Sequence, residues 1–324
     1  MNVAKRQLWF LGRRDFRDVE IHRKSPGALR PLSANDFALV VSTHNDMRLM
    51  GSFLQHYRAL GVTRFLCVDD LSTDDTAEFL LAQPDVELFT SNVRYKDADR
   101  GKIWRERLFA IFGRDRWYLS VDSDEFFLYE TAGSERIGDF VRRLDRAGVR
   151  RLPAPMLDLY PVGDLSRAVF SGADGSMPWE IATHFDGGGY RANAFNTGIS
   201  IYGGVRARVF QAHGELMKYP LLRWDRYCSL GRTIHRPRPS SYNFGPALGI
   251  LLHFKIFSDL RQTTETAVQE GQHYKDAKVY KAILGRLGEA GSLDLSYEDS
   301  IPFAGVDDLM RRGFMLPLTA SGRG

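Results

Sequence analysis

Between Phe37 and Tyr129, short apolar runs alternate with longer stretches in which apolar residues recur at helical spacing. Phe37-Ala-Leu-Val-Val-Ser42 is continuously hydrophobic, as a strand covered on both faces must be. It leads into Thr43-His44-Asn45-Asp46. Met50, Phe53, Leu54, Tyr57 and Leu60 then mark one side of a helix predicted over 47–60, with Gly61 as its stop. Further strands are predicted over 64–68, 86–89 and 117–121. A helix is expected after the second strand, capped by Ser72 with Asp75 three residues on, and another over 101–112. Such alternation builds βαβ units around a mostly parallel sheet.

Beyond Glu130 the periodicity weakens. A helix over 134–147 and a strand over 151–160 precede an irregular segment, 161–196, rich in Gly, Asp and Pro. A loop of that length in a compact domain is functional or mobile. The segments 203–210 and 218–224 and the basic turn His235 to Pro239 follow. A last strand over 247–252 delivers His253-Phe254-Lys255, a helical stretch over 258–287 closes the fold, and the tail after Ser300 is expected to be loosely held. The chain therefore divides into an N-terminal extension (1–36), one domain (37–290, with halves 37–130 and 131–257) and a C-terminal tail (291–324).

Composition narrows the class. With 324 residues, 44% of them hydrophobic, a sizeable core is available. Cys67 and Cys228 lie far apart among apolar residues, which fits reduced thiols better than a disulfide framework. No run approaches the roughly 20 apolar residues that cross a bilayer, and the first residues lack the apolar core of a signal peptide. A cytoplasmic location of bacterial type, with possible peripheral contact at the inner face of the membrane, is the expectation. The net charge of +4 is spread among 44 basic and 40 acidic residues, which gives no case for nucleic acid. The densest basic tract, Arg142 to Arg151, reads as a solvated helix face.

The chemistry concentrates in Trp117 to Tyr129, where an apolar run delivers Asp122, Asp124 and Glu125 to one point. In extended backbone Asp122 and Asp124 point the same way. Asp-x-Asp is common in solvated turns, but apolar flanks place these acids at the edge of a buried strand, where unpaired carboxylates are costly. Carboxylates on one face form half a cage for Mg²⁺ or Mn²⁺ with phosphate oxygens completing the shell. Asp69 and Asp70 also fall at the end of a predicted strand, and that edge of an open α/β sheet is where ligands bind.

Val-Val-Ser-Thr-His-Asn-Asp after the first strand, Val-Asp-Asp-Leu-Ser-Thr-Asp-Asp-Thr after the second and Val-Asp-Ser-Asp-Glu-Phe after the fourth together resemble family 2 glycosyltransferases. The subgroup with Asp-x-Asp-Glu-Phe and a later His-Phe-Lys is the nearest in pattern, over about 37–290. The resemblance implies a GT-A (Rossmann-like) α/β fold, with a mostly parallel central sheet flanked by helices, a long acceptor-side loop and a C-terminal helix. It implies transfer of a sugar from a UDP- or GDP-sugar to a hydroxyl, with inversion, and Mn²⁺ or Mg²⁺ as cofactor. The acceptor is left open among glycan, lipid-linked and protein hydroxyls. By similarity Thr43, Asn45 and Asp69 or Asp70 would hold the nucleotide. Asp124 would bind the metal, with Asp122 on ribose or metal.

A lone histidine after an apolar run is ordinarily structural; the resemblance instead makes His253 a metal ligand, with Lys255 reaching the same diphosphate. Among Arg94, Lys102 and Arg105, each readable as part of a solvated face, Lys102 is the chosen diphosphate cation. Glu180 and Asp186 in the long loop are the candidate general bases, since the Glu-Asp acceptor-side motif of family 2 is missing. Trp179 and Tyr190 are readable as sugar-stacking or ordinary packing, and Gly187 to Gly189 as a hinge. Two other readings compete. A sugar-phosphate nucleotidyltransferase would carry a Gly-rich loop after the first strand, where Thr43 to Asp46 has no glycine. A non-catalytic nucleotide-sugar-binding protein would retain the fold without turnover.

Overall fold

The structure is a computed structural model that describes residues 18–172, 174–231, 233–272, 278–289 and 293–318. The expected alternation is present in its first half: β1 (Ile21–Arg23), β2 (Ala38–Thr43), α1 (Met47–Leu60), β3 (Arg64–Asp69), α2 (Thr76–Leu81), β4 (Val86–Ser91), α3 (Lys102–Phe112) and β5 (Arg116–Asp122). Within β2, Leu39 and Val41 join a core that contains Met50, Phe53 and Tyr57 of α1. Ala38 and Val40 join a second core with Trp104, Leu108 and Phe109 of α3. A strand buried on both faces cannot alternate with polar residues, which is why β2 reads as an unbroken apolar run. Gly61 ends α1 at φ 99°, a conformation that penalises any side chain.

The second half comprises β6 (Glu125–Leu128), α4 (Ile137–Arg146), β7 (Arg151–Asp158), β8 (His184–Asp186), β9 (Arg191–Phe195), β10 (Gly198–Tyr202), α5 (Gly204–Phe210) and β11 (Met217–Trp224). It continues with β12 (Ile250–His253), α6 (Leu260–Glu270), α7 (Lys278–Glu289), β13 (Ser300–Pro302) and α8 (Val306–Arg311). Among the described residues nine strands form one sheet, in the order β1-β4-β3-β2-β5-β11-β7-β12-β6. The pairs within β4-β3-β2-β5 are parallel. β11 is antiparallel to both β5 and β7, β12 is parallel to β7 and antiparallel to β6, and β1 is antiparallel to β4. The result is an α/β molecule with a large mixed central sheet flanked by helices.

Several expectations are corrected. The proposed extension already contributes β1 to the sheet, where Arg23 bonds Glu87 at 2.8 Å; residues 1–17 lie outside the described residues. Ser72 caps no helix: α2 begins at Thr76, and the Ser72 hydroxyl bonds Asp69 instead. The helical stretch expected over 258–287 is two helices, the first ended by Gly271 at φ 62°. The loop 161–196 is packed rather than free. It carries β8, which pairs with β13, and it buries Phe170, Ala182 and Phe185.

Trp179 packs edge-on to His56 and Phe126, and Tyr190 packs against Phe314. A Cβ on Gly187 would collide with Ile301, so that glycine permits close packing, whereas Gly188 and Gly189 have open space beside them. The tail is held at least to Leu318, with Leu309 and Met315 buried and Leu316 bonded to Leu248. Arg151, counted in the solvated basic tract, is fully buried and donates to the carbonyls of Pro237, Arg238 and Pro239. No described helix is long and apolar enough to cross a membrane.

Candidate active site

Strand register assembles the site. In the parallel half, Ser42 lies beside Asp122 and Thr43 beside Asp69, so the carboxyl ends of β2, β3 and β5 are level. β11 runs the other way, and its first residues, Met217 and Lys218, arrive at that same edge. β6 starts there with Glu125. β12 and β7 end there, with His253 opposite Glu125 on one side and Asp158 on the other.

Ser123 and Asp124 form the turn between β5 and β6. The Asp122 N–H donates to the Glu125 carboxylate at 3.0 Å, and the Asp124 carbonyl accepts the Phe254 N–H at 2.9 Å, which ties the turn to the residue after His253. On one side of the turn, Asp122 receives Arg105 at 2.5 Å and Lys218 at 2.6 Å, and Lys218 also bonds Glu125. Arg105, Lys218 and Glu125 are buried. Burial opposes the charge on Lys218, but Asp122 and Glu125 outweigh it and raise its pKa. Burial likewise pushes Asp122 up, while Lys218 and Arg105 pull it well below the usual carboxylate range. Glu125 is raised by burial and by the neighbouring Asp122 and Asp124 charges, against the pull of Lys218.

The other side is different in kind. Asp124 faces His253 Nε2 at 3.2 Å and Lys255 Nζ at 3.9 Å. The second ring nitrogen, Nδ1, is 2.6 Å from Asp158, whose other oxygen accepts Arg206 Nε at 2.8 Å. Burial opposes ionisation of Asp158, but Arg206 and His253 lower its pKa to about 2. Asp124 is also lowered, by His253 and Lys255 acting against burial. His253 is raised because Asp124 and Asp158 outweigh its own burial.

Among the described residues there is no group of three or more His, Cys, Asp or Glu side chains disposed to hold a metal ion. The expected trio is split by the cations: Asp122 is engaged by Arg105 and Lys218. Asp124 and His253 fit a divalent ion as a pair. A carboxylate and an imidazole nitrogen converge, and the rear nitrogen of the ring is fixed by a carboxylate, the arrangement that orients metal-binding histidines. One or two protein ligands suffice where phosphate oxygens and water complete the shell.

The residues expected at the nucleotide lie along β2 and β3 but are largely engaged with one another. Thr43 Oγ1 donates to Asp46 at 2.8 Å. Asn45, at φ 54°, accepts the Thr73 and Asp74 N–H groups at 2.7 and 3.2 Å, so its amide staples the first βα turn to the second. Asp69 accepts the Ser72 N–H and hydroxyl. Asp70 is bonded by Arg94 Nε at 3.0 Å and by the Tyr95 N–H at 3.3 Å, and burial raises its pKa despite Arg94. His44 bridges the Asp70 carbonyl (2.8 Å) and Glu270 at the end of α6 (3.0 Å). Lys102, chosen for the diphosphate, instead contacts Asp99 at 2.5 Å and the Gly231 carbonyl at 2.8 Å. Arg105, one turn further along α3, is the helix cation that reaches the acid cluster.

Neither candidate base is presented as one. Glu180 is exposed and accepts the Met177 N–H at 3.1 Å, closing its own helical turn. Asp186 is buried, forked by Arg208 at 3.0 and 2.8 Å and bonded by Tyr160 Oη at 2.8 Å. The sequence reading missed Lys218, Asp158 and Arg206. Lys218 opens an apolar strand and Asp158 closes one. A lone charge at the end of an apolar strand is the same signal that singled out Asp122.

No protein-family model matches the chain, and no curated protein matches it. Among solved structures it is similar to one titled "Crystal structure of HddC from Yersinia pseudotuberculosis", at 7% identity and a TM-score of 0.27, over 58% of this chain and 74% of that one. A likeness at that level assigns neither a fold family nor an activity.

Proposed function

We propose that the chain is a metal-dependent glycosyltransferase of GT-A type, moving a sugar from a nucleotide diphosphate sugar, a UDP-sugar in the first instance, to a hydroxyl acceptor. One observation carries this reading: acids from β3, β5 and β7, the histidine of β12 and cations from α3 and β11 converge on a single edge of the sheet. In this reading Asp69 and Asp70 would serve the base and ribose, and Asp124 with His253 the diphosphate. A bound Mn²⁺ or Mg²⁺ would offset charge on the departing diphosphate. Lys255, half-buried and 3.9 Å from Asp124, is placed to meet the same oxygens. Asp158 orients His253, and Arg206 orients Asp158.

A sugar-phosphate nucleotidyltransferase is less well supported. The turn after β2 lacks glycine, and Asn45 pins it to the next loop, leaving no free run of backbone N–H groups to cradle a phosphate. Thermal unfolding with UDP-, GDP- and dTDP-sugars, with and without Mn²⁺, tests the proposal, since a ligand that binds the native state raises its apparent stability. The expected result is a metal-dependent rise with one donor family. No rise with any donor, with or without Mn²⁺, would remove the reading.

A further inference from the structure

The acid turn presents three carboxylates, yet two of them are already neutralised by the protein. Lys218 Nζ sits between Asp122, at 2.6 Å, and Glu125, and Arg105 closes the far side of Asp122 at 2.5 Å. Lys218 and Arg105 are 7% and 2% exposed, so water cannot screen them away. Glu125 is 1% exposed and has its second oxygen on the Asp122 N–H, which leaves it no route to solvent. Beside them lies a cavity of about 20 Å³ lined by Arg105, Asp122, Glu125 and Lys218 among others, the size of one water molecule. An ammonium bridging two carboxylates in that setting stands where a second cation would otherwise be needed.

We infer that Lys218 is a built-in cation that occupies the Asp122–Glu125 half of the acid turn and confines any exchangeable divalent ion to Asp124 and His253. The inference rests on the metal-dependent reading above. Asp122, the first acid of the Asp-x-Asp pair, then serves as the anchor of Lys218 and Arg105. Two protein ligands hold a divalent ion weakly, so its retention depends on diphosphate oxygens. A free enzyme that does not keep its ion takes up metal and donor together.

The test is Mn²⁺ uptake followed by the electron paramagnetic resonance of free Mn²⁺, with and without UDP. Wild-type protein should retain Mn²⁺ strongly only with UDP. D124N should weaken Mn²⁺·UDP retention by more than about tenfold, while D122N changes it by less than about threefold; loss of a group orienting a ligand already costs about 10–100-fold. K218M, which frees both carboxylates, should take up Mn²⁺ without UDP at least about tenfold more tightly than wild type, and the K218M/D122N double variant should lose that gain. Equal losses in D122N and D124N would make Asp122 a ligand and overturn the role of Lys218 while leaving metal dependence intact. Should K218M fail to fold, the D122N and D124N pair decides alone. No Mn²⁺ uptake by any of these proteins, with or without UDP, would remove the metal-dependent reading and this inference with it.

Discussion

The two sides of the Ser123-Asp124 turn are built from the same residue types to opposite ends. Toward α3 and β11, Asp122 and Glu125 are engaged by Arg105 and Lys218, two acids against two cations, of which Arg105, Lys218 and Glu125 are buried and Asp122 is partly exposed. Toward β12, Asp124 meets a histidine and a partly exposed lysine, and that histidine is braced from behind by Asp158. Removing one partner leaves an uncompensated charge among the buried Arg105, Lys218 and Glu125, so the first side is a structural commitment. The second side has a carboxylate oxygen and an imidazole nitrogen turned toward one another, which a ligand can separate. Proximity in sequence therefore says little about role here: Asp122 and Asp124 are two residues apart and belong to different machinery.

The sharpest way to break this contrast is to remove the open side. D124A and H253A should each reduce both Mn²⁺·UDP affinity and sugar transfer by more than about 100-fold, exceeding the usual cost of losing a group that only orients a ligand. Calorimetric titration and initial rates check this, with circular dichroism to show that the fold persists. Full retention of binding in both variants would place the metal elsewhere.

Acid stability separates the two sides from the scaffold behind them. His56 of α1 is buried, donates Nε2 to the Phe127 carbonyl at 3.0 Å and packs against Tyr57, Phe126 and Trp179. Burial lowers its pKa from 6.5 to about 4, although the Phe127 carbonyl opposes the shift. Between those values the unfolded chain binds the proton and the folded chain does not. Stability is therefore lost as pH falls from about 6.5 to about 4, by roughly 3 kcal/mol at about 1.4 kcal/mol per unit. Asp158, lowered to about 2, contributes stability that is lost only as pH falls below about 4. His253, with a raised pKa, loses its contribution as pH rises above about 6.5. Urea unfolding of wild type and H56Q at pH 7, 5.5 and 4.5 should show a steep fall in the first and a flat profile in the second. An equally steep fall in H56Q would put the acid lability in the charge cluster.

The sequence is most informative where contacts are local. The bounds of α1 and the starts of β3 and β4 follow from apolar spacing and from Gly61, because these elements pack around β2, close by in the chain; the start of β7 is marked by its own apolar run, although it pairs with the distant β11 and β12. β11 and β6 carry no such signal. Their placement depends on pairing across long separations, Leu221 with Leu119 and His253 with Glu125, and register of that kind is not written in either segment alone. The site divides in the same way. Asp122, Asp124 and His253 stand out as charges against apolar runs; Lys218 and Asp158 carry the same local mark, but that they share one site follows only when β11 and β7 bring their ends to the same edge. Lys102 was preferred to Arg105 for its place at the helix start, but α3 turns Arg105 toward β5 and Lys102 toward Asp99 and Gly231.

The smallest of these effects is the most discriminating. D158N preserves shape and an acceptor oxygen near His253 Nδ1, yet it removes the charge that Arg206 and His253 share and lets the amide NH₂ compete for the same position. The ring is then no longer restricted to the tautomer that leaves Nε2 free to bind a metal. If Asp158 acts only through His253, Mn²⁺·UDP affinity should fall about 10–100-fold, short of the loss in D124A, and the H253A/D158N double variant should be no worse than H253A alone. Losses that add in the double variant would give Asp158 a contact of its own with metal or donor. The open side would then hold three ligands, and the contrast with the closed side would rest on Lys218 and Arg105 alone.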